Sequence, residues 1–122
     1  RYYPYDRAFG PNDKTLDLDP SVEPDFQQDA REPYPKGFKA VIADPDYSEA
    51  DAAHRPMGSS TLPGAGTILR LALDALEPGR RVGILHVAPP RPTKGAALFV
   101  AKVNCSTGYL NRERAFYVFE KL

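Results

Sequence analysis

The chain has 122 residues, a length that suits one domain with its own hydrophobic core. Its formal net charge is zero, which argues against a strongly basic nucleic-acid-binding domain, and no apolar run approaches the roughly 20 residues of a membrane span. The single cysteine, Cys105, excludes an intrachain disulfide framework and a cysteine-rich zinc site, and it fits a reducing, cytoplasmic compartment.

The first 14 residues form an aromatic segment of what we expect to be a single domain, residues 1–122. Tyr2, Tyr3 and Tyr5 favour hydrophobic anchoring of this segment. The alternative is an aromatic platform for a base or a cofactor ring.

Two short strands are predicted next, and an acidic residue follows each of them. Residues 15–20 alternate apolar and acidic side chains and close in a proline turn, a pattern typical of a half-buried strand. Residues 25–30 fit a further short strand with Asp29 at its end. Residues 31–37 contain two prolines and are predicted to form a loop.

The stretch from residue 38 to residue 48 predicts a buried strand followed by an acidic turn. Val41 and Ile42 lie in a short apolar run, which favours a strand covered on both faces. Pro45 lacks an N–H for the sheet, so the strand ends near Asp44. Because ligands bind outside the carboxyl ends of strands in open α/β sheets, this turn is a candidate site, with ordinary Asp-Pro turn chemistry as the alternative.

A helix and a second buried strand follow. A short helix is predicted to begin at Ser48, and the clearest helix covers residues 67–77, where apolar residues recur on one stripe at 3.6 spacing. Pro78-Gly79 ends this helix, and residues 81–87 form the next strand. Strand, helix and strand with short links predict a parallel crossover.

The last part of the chain predicts two strands, residues 96–103 and residues 115–120, without a convincing helix between them. Consecutive strands that lack a helical crossover pair antiparallel. The predicted fold is therefore α/β, with a mostly parallel sheet and a C-terminal antiparallel hairpin.

This order of elements, with acidic residues at successive strand ends and a terminal hairpin, resembles the class I S-adenosylmethionine-dependent methyltransferases. The resemblance covers about residues 15–122 and implies a Rossmann-like sheet. Ala43-Asp44-Pro45-Asp46-Tyr47 resembles the Asp-Pro-Pro-Tyr signature of amino-methyltransferases. It implies methyl transfer from S-adenosylmethionine to an amino group, with adenine in DNA or RNA as the expected target.

The resemblance implies three residues for the cofactor. Asp17 corresponds to the acid that binds the ribose hydroxyls, since two acceptor oxygens suit a vicinal diol. Asp29 and Ala30 correspond to the residues that bind the adenine ring of the cofactor. No metal is implied.

It also implies three residues for the substrate. Asp44 and the carbonyl of Pro45 correspond to the acceptors that hold the target amino nitrogen. Tyr47 corresponds to the ring that stacks on a flipped target base. Catalysis would then consist of positioning and electrostatics.

Two departures from the family pattern motivate a second hypothesis. Asp46 stands where the signature has its second proline. The family's Gly-rich cofactor loop is not recognisable: either residues 1–5 are a reduced first strand with residues 6–10 in place of the loop, or the loop lies upstream of Arg1. The second hypothesis is an inactive methyltransferase-like module for binding or assembly, in a homo-oligomer or with a protein partner.

Three other kinds of site receive less support. A hydrolase triad is disfavoured because His54 and His86 are far apart and no Ser or Cys has a supporting motif. Acidic residues at strand ends are a minor alternative as a divalent-metal cluster: Asp17, Asp19, Asp25, Asp29, Asp44 and Asp46. Four basic residues could form a rim for nucleic acid, although the zero net charge favours a solvated surface: Arg91, Lys94, Arg112 and Arg114.

Overall fold

The computed structural model describes residues 10–45, 63–105 and 113–122. It contains six strands and one α-helix in these ranges: β1 (Leu16–Asp17), β2 (Phe26–Gln27), β3 (Ala40–Ala43), α1 (Ala65–Ala75), β4 (Arg81–His86), β5 (Ala97–Cys105) and β6 (Arg114–Lys121). The aromatic segment at residues 1–9, the helix predicted from Ser48, and the site residues Asp46 and Tyr47 lie outside the described residues.

The strands form two sheets. β1 and β2 pair parallel in a two-stranded sheet, and the other four strands form a sheet of order β3-β4-β6-β5. β3 and β4 are parallel neighbours joined through α1, which confirms the predicted crossover. β5 and β6 pair antiparallel, which confirms the predicted hairpin.

The four-stranded sheet is mixed, whereas the sequence predicted a mostly parallel sheet. β6 lies between β4 and β5 and runs antiparallel to both. Within this sheet, one pairing is therefore parallel and two are antiparallel. The hairpin of β5 and β6 lies at one edge of the sheet, as predicted. The sheet is not mostly parallel because β1 and β2 form a separate sheet, which leaves β3 and β4 as the one parallel pair among its described strands.

The core lies between α1 and one face of the four-stranded sheet. The predicted stripe of α1 is buried against residues of β4 and β6, with this core cluster: Ile68, Leu69, Ala72, Leu73, Leu76, Val82, Ile84, Ala115, Tyr117 and Phe119. Leu69, Val82 and Ile84 are fully buried. In the parts of the chain that the structure covers, no helix has the length and apolar character needed to cross a membrane.

The helix ends through a tertiary contact. Leu76 has extended backbone angles, and its carbonyl accepts a hydrogen bond from Lys121 Nζ at 2.5 Å. A cation at the carboxyl end of a helix interacts favourably with the helix dipole and with carbonyls that lack an intrahelical donor. The helix spans Ala65–Ala75, so each end lies two residues earlier than the sequence predicted.

The opposite face of the sheet, which we call the open face, exposes apolar side chains. Ile42, Leu98 and Val103 lie on this face by strand register and are 77%, 54% and 55% exposed. The prediction that β3 is covered on both faces was therefore wrong for Ile42. Val41 points to the core side, and Ile42, its neighbour along the strand, points to the open face.

Candidate functional site

The parallel pairing of β1 and β2 brings the predicted cofactor residues to one edge. Asp17 is the last residue of β1 and pairs with Gln27 at the end of β2. The Gln28 N–H extends this pairing by donating to the Asp17 carbonyl at 3.0 Å. Asp29 and Ala30 follow immediately, so the structure brings the three residues together at the carboxyl ends of adjacent parallel strands.

The Asp17 side chain keeps acceptor capacity for a ligand. It is half-buried, and its Oδ1 accepts the Asp19 N–H at 2.9 Å, which fixes the carboxylate against its own turn. Its Oδ2 takes no donor from the residues that the structure describes. An ionised carboxylate accepts about four hydrogen bonds, so Asp17 can still bind a vicinal diol.

The Asp29 carboxylate is held by Arg31. Its Oδ1 accepts the Arg31 backbone N–H at 2.9 Å and Nε–H at 2.9 Å, and its Oδ2 accepts Nη2–H at 2.5 Å. These hydrogen bonds hold the pKa of Asp29 below its ordinary value, so the group is a carboxylate at neutral pH. Because Oδ2 has one donor and accepts about two, it remains able to accept from an amino group.

Further hydrogen bonds close the segment from Gln28 to Tyr34, which we call the adenine loop after its expected ligand. Gln28 Nε2 donates to the Pro33 carbonyl at 3.1 Å, and the Glu32 N–H donates to the Asp29 carbonyl at 3.0 Å. The Tyr34 hydroxyl donates to the Ala30 carbonyl at 2.9 Å. Tyr34 also packs against the core cluster, so this loop is attached to the α1 side of the protein.

Burial raises the pKa of the Tyr34 hydroxyl to about 12, and the negative charge of Asp29 adds to this effect. The hydroxyl is therefore protonated at neutral pH and available as a donor to Ala30.

The predicted substrate residues lie on the larger sheet. Asp44 is exposed and Pro45 is half-buried directly after β3, whose last residue, Ala43, pairs with Ile84. They therefore lie beside the end of β4, where His86 Nδ1 is 3.1 Å from the Ala88 carbonyl oxygen and 3.3 Å from the Ala88 nitrogen. The two sheets are in contact through Phe26 and Phe38, whose rings meet edge to face with centroids 6.3 Å apart.

The other acidic residues of the strand ends have structural partners. Asp19 Oδ1 accepts the Ser21 N–H at 2.8 Å and begins a short 3₁₀ turn, Pro20–Val22. Asp25 Oδ2 accepts the Thr15 N–H at 2.8 Å, and its Oδ1 lies 3.6 Å from Lys14 Nζ. Across residues 10–45, 63–105 and 113–122, no group of three His, Cys, Asp or Glu side chains is arranged to hold a metal ion.

The basic rim predicted for nucleic acid is described only in part. Arg91 and Lys94 are exposed in the connection after β4, and Arg114 is half-buried at the start of β6. Arg112 lies outside the described residues.

Sequence reasoning missed Arg31 and Tyr34. Arg31 follows Asp29 by two residues, the spacing at which an Asp side chain commonly bonds to the backbone, so its pairing had a local signal. Tyr34 is the one aromatic residue between Gln28 and Gly37, and it has a proline on each side. An aromatic ring in an otherwise polar loop is a signal of anchoring to the core.

No protein-family model and no curated protein sequence matches this chain. A search of solved structures finds the crystal structure of TrmN from Thermus thermophilus, with a TM-score of 0.52 and 20% sequence identity. The similarity covers 80% of this chain and 28% of the TrmN chain, so this chain spans less than a third of that protein. The candidate site is therefore positioned by an α/β fold that this chain shares with part of TrmN.

Proposed function

We propose that this chain supports S-adenosylmethionine-dependent methyl transfer to an amino group, with adenine in DNA or RNA as the favoured target. One observation carries the proposal. On a methyltransferase-like fold, Asp17 and Asp29-Ala30 lie together at the carboxyl ends of adjacent parallel strands. This is the edge at which open α/β sheets bind their ligands.

The donors and acceptors at this edge fit the cofactor. Asp17 Oδ2 is available to the ribose hydroxyls, and Asp29 Oδ2 is available to the adenine amino group. Asp29 also brings its counter-charge, Arg31, so the carboxylate remains ionised without a ligand. When bound, S-adenosylmethionine supplies a methyl group on a positively charged sulfur.

The residues after β3 fit the target amino group. The Asp44 carboxylate and the Pro45 carbonyl both accept hydrogen bonds, which would hold the two amino hydrogens and localise the nitrogen lone pair. The transfer forms one N–C bond and breaks one S–C bond, and the methylated nitrogen then releases one proton. The Asp44 carboxylate, or water next to this exposed side chain, accepts that proton.

Calorimetry with S-adenosylmethionine tests the cofactor assignment. We expect Asp17→Asn to weaken binding by about 10-fold or more, because it replaces a charged acceptor of the ribose diol with a neutral amide. Asp74→Asn is the matched control, since Asp74 is an exposed α1 residue paired with Arg70. The absence of binding heat for the unmodified chain at high micromolar cofactor would refute the proposal.

A methyl-transfer assay on adenine-containing DNA and RNA tests the substrate residues. We expect Asp44→Ala to abolish transfer while the affinity for S-adenosylmethionine stays within about twofold, since Asp44 lies on the other sheet from the cofactor residues. Unchanged turnover in this variant would remove Asp44 from catalysis.

The second candidate is an inactive methyltransferase-like module that serves assembly. The exposed apolar side chains of the open face favour it, because single-chain proteins rarely expose large contiguous apolar patches. Sedimentation of the cofactor-free chain should then show a defined oligomer. Methyl transfer to any DNA or RNA would exclude this candidate.

A further inference from the structure

Tyr34 connects the core of the protein to the cofactor side chain Asp29 through one peptide group. Its hydroxyl donates to the Ala30 carbonyl at 2.9 Å. The Ala30 carbonyl and the Arg31 N–H belong to the same planar peptide unit, and this N–H donates to Asp29 Oδ1 at 2.9 Å. Fixing the carbonyl at one end of the unit therefore fixes the donor at its other end.

Packing against the core holds the ring of Tyr34 in place. Tyr34 is half-buried and packs against the core cluster between α1 and the sheet, as Phe38 also does. Asp29, by contrast, lies in a turn, and the Arg31 side chain that binds it is exposed. The one described side chain of the adenine loop that joins the core cluster is that of Tyr34.

The peptide unit between Asp29 and Ala30 is fixed in the same way. The Asp29 carbonyl accepts the Glu32 N–H at 3.0 Å. Because the peptide is trans, the Ala30 N–H points away from that bond. The loop thus presents a carboxylate acceptor and, one residue later, a backbone donor.

This donor and acceptor pattern distinguishes purines. A 6-aminopurine offers an amino donor and a ring-nitrogen acceptor on neighbouring positions, which complement the Asp29 carboxylate and the Ala30 N–H. A 6-oxopurine offers the reverse pattern, an oxygen acceptor and a ring N–H donor, which opposes both groups. The preference between the two purines depends on a fixed distance and direction between the Asp29 carboxylate and the Ala30 N–H. A purine with the wrong pattern then leaves polar groups without hydrogen-bond partners, which costs binding free energy.

We propose that Tyr34 is a positioning residue that sets the preference of the Asp29-Ala30 edge for a 6-aminopurine over a 6-oxopurine. The inference rests on the proposed cofactor function and extends it to a residue that touches no ligand. Arg31 holds the pKa of the Asp29 carboxyl below its ordinary value, and Tyr34 fixes the orientation of the peptide unit that binds the Asp29 carboxylate.

The test compares two ligands that differ at position 6 of the purine, S-adenosylhomocysteine and S-inosylhomocysteine. Calorimetry gives the ratio of their dissociation constants for the unmodified chain, for Tyr34→Phe and for Tyr117→Phe. The Tyr34→Phe change keeps the ring in the core and removes the hydrogen bond to Ala30. Tyr117→Phe is the matched control, because Tyr117 is a buried tyrosine of β6, outside the adenine loop.

We expect the unmodified chain to prefer the 6-amino ligand by about 10-fold or more, and Tyr34→Phe to reduce this preference by about 2- to 12-fold, the range for loss of one hydrogen bond. Tyr117→Phe should leave the preference unchanged. A preference that Tyr34→Phe leaves unchanged overturns the inference but not the cofactor assignment. Binding of neither ligand to the unmodified chain overturns both.

Hydrogen exchange without ligand gives an independent measurement. In Tyr34→Phe, the Arg31 amide should exchange about 2- to 12-fold faster, because the peptide unit that presents it to Asp29 has lost one of its two anchors. The amides of β4 should exchange at the same rate as in the unmodified chain, which would show that the core is intact. An unchanged Arg31 amide overturns the inference, since Tyr34 would then not position this peptide unit.

Discussion

Gly83→Ala is expected to destabilise the protein through a single aromatic ring on the open face. Gly83 lies in β4 between the core residues Val82 and Ile84, and the Phe116 ring covers it. A Cβ atom at this position would lie 2.1 Å from Phe116 Cζ and 2.7 Å and 2.9 Å from its two Cε atoms. Carbon atoms normally approach to about 3.5–4.0 Å, so the ring must move.

The magnitude follows from two opposing effects. Overpacking of this kind costs about 1–3 kcal/mol of unfolding free energy. Replacing glycine with alanine inside a strand recovers roughly 0.5–1 kcal/mol, because glycine loses more conformational freedom on folding. The expected net loss is therefore about 0–2.5 kcal/mol. Phe116 is half-buried, so its ring has room to swing towards solvent, which favours the lower half of this range.

Urea unfolding of a double-mutant cycle measures the effect. Gly83→Ala should lower the midpoint in the unmodified chain, whereas in a Phe116→Ala background the same change should be neutral or stabilising by up to about 1 kcal/mol. The coupling energy isolates the contact between the two residues. An equal effect in both backgrounds would refute the reasoning, because the ring would then not be the source of the cost.

Three other predictions concern stability. Hydrogen bonds to Ser21, Thr15 and Arg31 hold the pKa values of Asp19, Asp25 and Asp29 below the ordinary 3.8. The stability that these carboxylates contribute is therefore full above that pH and is lost as the pH falls through their lower pKa values in the folded protein. The urea midpoint should fall between about pH 6 and pH 3, and it should fall less steeply in Asp25→Asn. Lys121→Met removes the charged donor to the Leu76 carbonyl at the end of α1 and should lower the unfolding free energy by about 0.5–2 kcal/mol, which a lower Tm would show. Lys94→Met, at an exposed position in the connection after β4, should leave Tm unchanged. Phe38→Leu loses the edge-to-face contact with Phe26 and should cost about 0.5–1.5 kcal/mol in chemical unfolding; a change below the error of the measurement would mean that this ring pair does not help to hold the two sheets together.

The elements that follow from local periodicity were predictable. The apolar stripe of α1 has the period of a helix, and the short run of apolar and aromatic residues in β6 has the composition of a strand, so each pattern identifies its element. The antiparallel hairpin followed from the sequence, which predicts no helix between these two strands, and the pairing of β5 with β6 confirms it. The residue at which α1 ends was not predictable, since Lys121, 45 residues away, binds the Leu76 carbonyl.

The parts that depend on distant partners were not predictable. Ile42 and Val41 are equally apolar in the sequence, but only Val41 has the core cluster beside it. In the candidate site, too, some features were predictable from the sequence and others depend on distant partners. The positions of Asp17 and Asp29 at strand ends followed from the sequence pattern, whereas the orientation of Asp29 depends on Arg31 and on Tyr34, which gains its position from packing. Tyr47 and the implied methyl-transfer chemistry stay predictions.

The position of β6 between β4 and β5 has a consequence for synthesis of the protein on the ribosome. β4 is complete at His86, but its antiparallel partner begins at Arg114, and that partner also supplies Ala115, Tyr117 and Phe119 to the core. Until residues 114–121 have emerged, the apolar stripe of α1 faces only half of its binding surface. Before then, the larger sheet consists of β3 and β4 alone, and an isolated pair of strands is marginally stable in water. A polypeptide interrupted before Arg114 should therefore be degraded or captured by chaperones rather than accumulate as a folded fragment.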